Sequence, residues 1–175
     1  MRDDKFNQII GYLKAFEKLN CYCNHGSLFS FECLSYNGNL KSTILEKLKR
    51  ENEQFKTSKI NYISEFDEMD FNFDFKKVRN WTTVLANEIE FYFLGVFSAD
   101  YTERYEHISD QRKNCIDIFI KMLIELFADY SIDVWASGID TYYSSLTEYY
   151  SECSGIDFAF LCNEKIFLLH LGILD

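Results

Sequence analysis

Apolar residues recur at three- and four-residue spacing at the start of the chain. Phe6, Ile9, Ile10, Leu13 and Phe16 predict an amphipathic helix over about residues 4–19. The period then changes to two. In "SLFSFECLSYN", Phe29, Phe31 and Cys33 alternate with polar neighbours, as in a half-buried strand that turns Cys33 toward the core. Asn37-Gly38-Asn39 reads as a turn, and Leu40, Ile44, Leu48 and Phe55 mark a second helix.

Alternation returns in "FNFDFKK", which predicts a strand carrying Phe71, Phe73 and Phe75 on one side and Asp74 on the other. From Val78 to Phe97 the two periods compete. Trp81, Leu85, Ile89, Tyr92 and Val96 suit a helix, "EIEFYF" alone suits a strand, and length favours the helix. Ile116, Phe119, Ile120, Leu123, Phe127 and Tyr130 form a strong helical stripe, and Tyr142, Leu146, Tyr149 and Cys153 fit a shorter helix. "IDFAFLC" and "KIFLLHLGIL" around Asn163-Glu164 predict a closing β-hairpin. The expected fold is a single α+β domain over residues 1–175, with about four or five helices on a mainly antiparallel sheet.

Composition supports one well-packed core. The chain has 175 residues, 47% of them hydrophobic and 18% aromatic, and contains no proline. "MRDDKFNQII" lacks the apolar run of a secretory signal, and "FYFLGVF" and "IFLLHLGIL" are too short to span a bilayer. Six cysteines without an export signal read as reduced thiols, so a cytoplasmic location is expected.

Charge narrows the class of partner. The net charge of −10 divides into +3 over residues 1–60, −7 over 61–110 and −6 over 111–175. Between Lys121 and Lys165 there are eight acidic side chains and no basic one. Nucleic acid, which is held through Lys and Arg, is a poor partner for such a surface, and a cationic protein is a good one.

Candidate chemistry is sparse. Cys21, Cys23, His25 and Cys33 could offer soft metal ligands, but the first pair is separated by one residue where zinc fingers use two to four. "EFDEMDFNFD" groups Glu65, Asp67, Glu68, Asp70 and Asp74 without the glycine-centred spacing of a calcium loop. A Cys–His nucleophile would have to draw on Cys21, Cys23, Cys115, Cys153 or Cys162 with His25, His107 or His170, and sequence gives no geometry for it. No nucleophile elbow, phosphate-binding loop, dinucleotide fingerprint or zincin motif occurs. Neither a metal nor a cofactor is expected.

The segment around "EYYSECSGIDFAF" points elsewhere. A helix through residues 140–152 cannot bury Tyr142, Tyr143, Tyr149 and Tyr150 together, since adjacent residues diverge by about 100°. One ring of each pair would face out among Asp140, Glu148 and Glu152. Tyrosines on an acidic surface suit a protein interface. The candidate partner-binding residues are therefore Asp140, Tyr143, Glu148, Tyr149, Tyr150 and Glu152, with Asp67, Glu68 and Asp70 of the acidic turn as a second group.

In its small size, acidity, α+β pattern and closing "ECSGIDFAFLCNEKIFLLHLGILD", the chain resembles the immunity proteins of bacterial polymorphic and contact-dependent toxin systems. The resemblance implies a non-catalytic protein that binds and neutralises a toxin domain, commonly a basic nuclease. Two other readings compete: a small hydrolase using a cysteine or an acidic metal site, and a phage or plasmid inhibitor that mimics nucleic-acid charge.

Overall fold

The computed structural model describes residues 2–21, 26–57, 71–93 and 106–174. Among these residues the elements in chain order are α1 (Arg2–Cys21), β1 (Gly26–Ser35), α2 (Leu40–Thr57), β2 (Lys76–Lys77), α3 (Trp81–Ile89), α4 (Glu106–Phe127), β3 (Asp133–Ser137), β4 (Ser154–Cys162) and β5 (Lys165–Leu174). The five strands form one antiparallel sheet in the order β1-β5-β4-β3-β2, with the four helices packed around it. The fold is α+β, as the alternating periods predicted.

Both faces of the sheet are covered, and the pleat divides the side chains between them. Phe29, Phe31, Phe158, Phe160, Leu169 and Leu171 belong to a core shared with Ile9, Leu13 and Phe16 of α1, Leu85 of α3 and Phe119 and Leu123 of α4. Leu34, Ala159, Ile166 and Leu168 point the other way, into a smaller core with Leu40, Ile44 and Leu48 of α2, Phe75 and Leu146. Burial on both sides explains why β5 reads as a continuous apolar run rather than an alternation. The β4–β5 hairpin turns through Asn163, whose φ of 55° is a left-handed conformation that asparagine tolerates.

The two sheet edges are guarded differently. At β1, Glu17 of α1 accepts the outward N–H of Phe29, and Lys14 Nζ donates to Phe29 O at 2.9 Å. The same two side chains pair with each other at 2.7 Å, so an ion pair stands in for a neighbouring strand. At the other edge β2 is two residues long, and Lys77 pairs with Asp133 at 2.7 Å.

Four expectations need correction. The "FNFDFKK" strand shrinks to Lys76–Lys77, because Asp74 N–H is taken by Ser145 Oγ at 2.9 Å while Phe73 and Phe75 stack on each other in the α2-side core. The short helix through Tyr142–Cys153 is a series of turns: Asp140, Tyr142 and Ser151 have φ of 62°, 55° and 54°, which a right-handed helix excludes. Cys33 shares the parity of Phe29 and Phe31 but lies beyond the cover of the helices and is exposed. The helix expected from Val78 is confined to Trp81–Ile89 and followed by a turn through Phe93, and residues 94–97 lie outside the described set. Strand β3 was not expected at all. Among the described residues, no helix is long and apolar enough to cross a membrane.

Candidate functional site

The charged residues inside the sheet organise the segment that carries the candidate tyrosines. Asp157 of β4 and His170 of β5 are directly opposite each other in the ladder, on the face turned toward α2. His170 Nδ1 lies 2.6 Å from Asp157 Oδ1, and its Nε2 lies 2.9 Å from Glu152 Oε1. All three are buried, with His170 at 1% exposure, Asp157 at 0% and Glu152 at 6%. The imidazole thus bridges two carboxylates.

Burial alone would drive His170 toward its neutral form. Hydrogen bonds and charge from Asp157, then Glu152, outweigh it and hold the pKa up at about 9. At neutral pH the ring is therefore an imidazolium with both N–H groups donating. Glu152 is displaced upward, chiefly by its burial, against the lowering influence of His170. A ring so engaged is a fixed cation rather than a proton acceptor.

The network extends into the coil above. Asp157 Oδ2 accepts Leu146 N–H at 3.1 Å, Ser137 Oγ accepts Ser145 N–H at 2.8 Å, and Thr147 Oγ1 accepts Ser144 N–H at 2.9 Å. Glu152 N–H donates to Thr147 O at 3.0 Å. Two of these acceptors, Asp157 and Ser137, are side chains of the sheet, and they take N–H groups that a regular helix would bond internally.

Tyr150 closes the cluster. Its ring lies 4.9 Å from that of His170, and its hydroxyl donates to Glu51 Oε2 at 3.1 Å and accepts from Lys47 Nζ at 2.8 Å. Lys47 is 3% exposed but answered by Glu51 at 2.7 Å and Glu32 at 3.1 Å. Burial and the Glu51 charge raise the pKa of Tyr150 well above that of a free phenol. Tyr149, which donates to Leu48 O at 3.2 Å, is pushed up to about 12 by burial and Glu51.

The expected contact residues accordingly separate. Asp140, Tyr143 and Glu148 are exposed, with Tyr143 at 51%. Tyr149 and Tyr150 are half-buried against α2. Glu152, expected on the surface, is corrected to the interior, because the salt link to His170 and the space over Gly172 draw it down. Asp67, Glu68 and Asp70 lie outside the described residues. Tyr142 joins the exposed group at 44%, and its ring leans on Phe91 with centroids 5.0 Å apart. Asp140 is tied back through its backbone N–H to the Glu88 carboxylate.

From sequence His170 was named only as a possible partner of a cysteine nucleophile, and Asp157 and Lys47 were not singled out. A signal for the first two was available. A turn centred on Asn163-Glu164 fixes the register of the hairpin, and that register places Asp157 of "GIDFAF" opposite His170 of "FLLHLG".

The alternative Cys–His arrangement is not assembled around His170. Cys162 has the parity of Phe158 and Phe160, toward α4, whereas His170 faces α2. Cys153 is exposed, and Cys115 lies on α4, where its carbonyl accepts from Tyr12. The side chains of Cys21, Cys23, His25 and His107 lie outside the described residues. Among the described residues, no three His, Cys, Asp or Glu side chains converge as a metal site requires; Glu152 and Asp157 sit at opposite ends of the imidazole.

No protein family profile matches the chain, and no curated protein is significantly similar to it. Among solved structures it is similar to that of citrus MAF1, at 12% identity and a TM-score of 0.40, covering 91% of this chain and 96% of that one. A likeness at that level carries no argument about fold or function.

Proposed function

We propose that the protein acts in the cytoplasm by binding, without catalysis, a cationic protein through the acidic rim formed by Asp140, Tyr142, Tyr143 and Glu148. The observation that carries this reading is the exposure of Tyr142 and Tyr143 on an acidic segment anchored from below by the Asp157–His170–Glu152 network. A segment held in this way loses little conformational freedom on binding, and exposed tyrosines supply contact area at small entropic expense. In its specific form, drawn from the resemblance to immunity proteins, the partner is a toxin domain, a basic nuclease in particular. The hydrolase reading has less support, since both ring nitrogens of His170 are committed to carboxylates.

An alanine series tests the proposal against the tightest partner recovered from the native host. Tyr143→Ala is expected to weaken binding by about 2 kcal/mol while leaving the thermal midpoint unchanged. Tyr149→Ala and Tyr150→Ala are expected to lower the midpoint, because their rings pack on α2. Association should slow as salt rises, since the steering field is screened. Full affinity in a Tyr142→Ala/Tyr143→Ala double variant would show that the rim is not the interface.

A further inference from the structure

Among the described residues, the β1 edge opposite β5 is closed along most of its length and open at one place. In the β1–β5 ladder the even-numbered residues of β1 turn toward β5, a pattern continued where Tyr36 N–H donates to Glu164 O at 2.8 Å. In an antiparallel pair the N–H and C=O of one residue point the same way, so Phe29, Phe31, Cys33 and Ser35 direct theirs outward. Those of Phe29 are taken by Glu17 and Lys14. Phe31 is 3% exposed and closed to solvent. Asn37, beyond the strand, gives its N–H to Thr43 Oγ1 at 3.4 Å. Between these, Cys33 and Ser35 are both exposed.

Two hollows flank this opening, one on each face of the sheet. Toward α1 and α4 lies a cavity of about 640 Å³ bordered by Cys33, Phe6, Leu126, Tyr130 and Phe167. Toward α2 lies one of about 460 Å³ bordered by Leu34, Ser35, Glu46, Lys49 and Arg50. With Lys49 and Arg50 against the one carboxylate of Glu46, the lining of the α2-side hollow is net positive in a chain of net charge −10.

We propose that Cys33 and Ser35 accept an extended peptide of a partner protein as an added strand, with an apolar side chain toward Phe6 and Phe167 and an acidic one toward Lys49 and Arg50. The outward N–H and C=O groups supply the main-chain bonds, and the pleat sends alternate side chains of the added strand into the two hollows. A second copy fits less well. Antiparallel pairing of β1 with itself would place α2 beside α2 on the same face, setting Lys49 and Arg50 against their own counterparts. This edge is a different surface from the Asp140–Glu148 rim and does not depend on it.

The test uses the full chain and fluorescently labelled, blocked octapeptides: one alternating Val and Glu, one alternating Val and Lys, and a Val–Glu peptide with a central Pro. In anisotropy titrations the Val–Glu peptide is expected to saturate. The Lys and Pro peptides should bind about tenfold more weakly or worse, a loss of about 1.4 kcal/mol. Cys33→Pro removes an outward N–H while sparing the β5 ladder, which uses Glu32 and Leu34 here, and should weaken binding by a similar factor. Arg50→Glu, an exposed change that preserves the fold, should do the same. Hydrogen exchange at the Cys33 and Ser35 amides should slow on adding the Val–Glu peptide. Failure of that peptide to bind, or equal binding by wild type and Arg50→Glu, would overturn the proposal. So would a concentration-dependent dimer in sedimentation that Cys33→Pro breaks, which would assign the edge to a second copy.

Discussion

Replacing Gly172 with alanine is expected to lower the unfolding free energy by about 3 kcal/mol or more, read as a shift of the urea midpoint. A Cβ at this position would run into the carboxylate of Glu152, with both oxygens and the carboxyl carbon in its way. Gly172 pairs with Gly155 of β4 on one side and Leu28 of β1 on the other, so the backbone has little room to retreat. Glu152 would have to leave, and His170 would lose its partner at Nε2. Breaking a buried ion pair from one side typically lowers stability by about 3–5 kcal/mol, because the remaining charge is left without compensation. Gly11→Ala is the matched control. Its Cβ meets nothing within 4 Å and it lies inside α1, so that change is expected to stabilise by about 0.5–1 kcal/mol. A Gly172→Ala variant within about 0.5 kcal/mol of wild type would mean that Glu152 is not seated over the strand.

The second large effect is on pH dependence. In the unfolded chain His170 titrates near 6.5, and in the folded protein at about 9. Below pH 6.5 both states carry the proton and the stabilisation is complete. Between 6.5 and 9 the unfolded chain loses its proton while the folded one keeps it, so stability falls as pH rises. The full loss is about 3 kcal/mol, at roughly 1.4 kcal/mol per pH unit. Glu152, also displaced upward, acts in the same direction at lower pH, since the folded state again binds the proton more tightly. The raised tyrosines contribute only at higher pH, where free phenols begin to ionise. Chemical denaturation at a series of pH values should show the decline, and His170→Gln, less stable overall, should flatten it between pH 6.5 and 9. A wild-type profile level across that window would contradict the imidazolium assignment.

Apolar patterning was a good guide to where these elements lie. The stripes of α1, α2 and α4, the alternation of β1 and β4 and the continuous apolar run of β5 all appear where their spacing places them. It failed where polar side chains rather than apolar spacing set the backbone. Residues 140–152 have the spacing of a helix, but Asp157, Ser137 and Thr147 take the N–H groups of Leu146, Ser145 and Ser144. "FNFDFKK" alternates as a strand should, yet Ser145 claims its middle N–H. Both departures depend on side-chain acceptors that apolar spacing does not register, three to eleven residues away for the first and 71 residues away for the second. The divergence of adjacent helical positions predicted one exposed ring in each tyrosine pair; without the helix, Tyr142 and Tyr143 are both exposed and Tyr149 and Tyr150 are both half-buried. Cys33 was misplaced because parity says which face a residue takes, not whether a helix covers that part of the face.

The order of strands has a consequence for synthesis. β1 is made early, but its whole ladder and much of its apolar cover wait for β5, the strand that lies between β1 and β4 and the last of the described elements to leave the ribosome. Until then β1 and β4 have no common neighbour, and Phe29, Phe31, Phe158 and Phe160 lack the Leu169 and Leu171 against which they pack. Such non-local pairing carries a large loop-closure entropy and slows folding. A growing chain therefore passes through a long interval with aromatic strands unpaired, the state in which aggregation and chaperone capture compete with folding. The Lys14–Glu17 pair needs only α1 and β1, both present from the start, and it shields the edge at Phe29 throughout that interval.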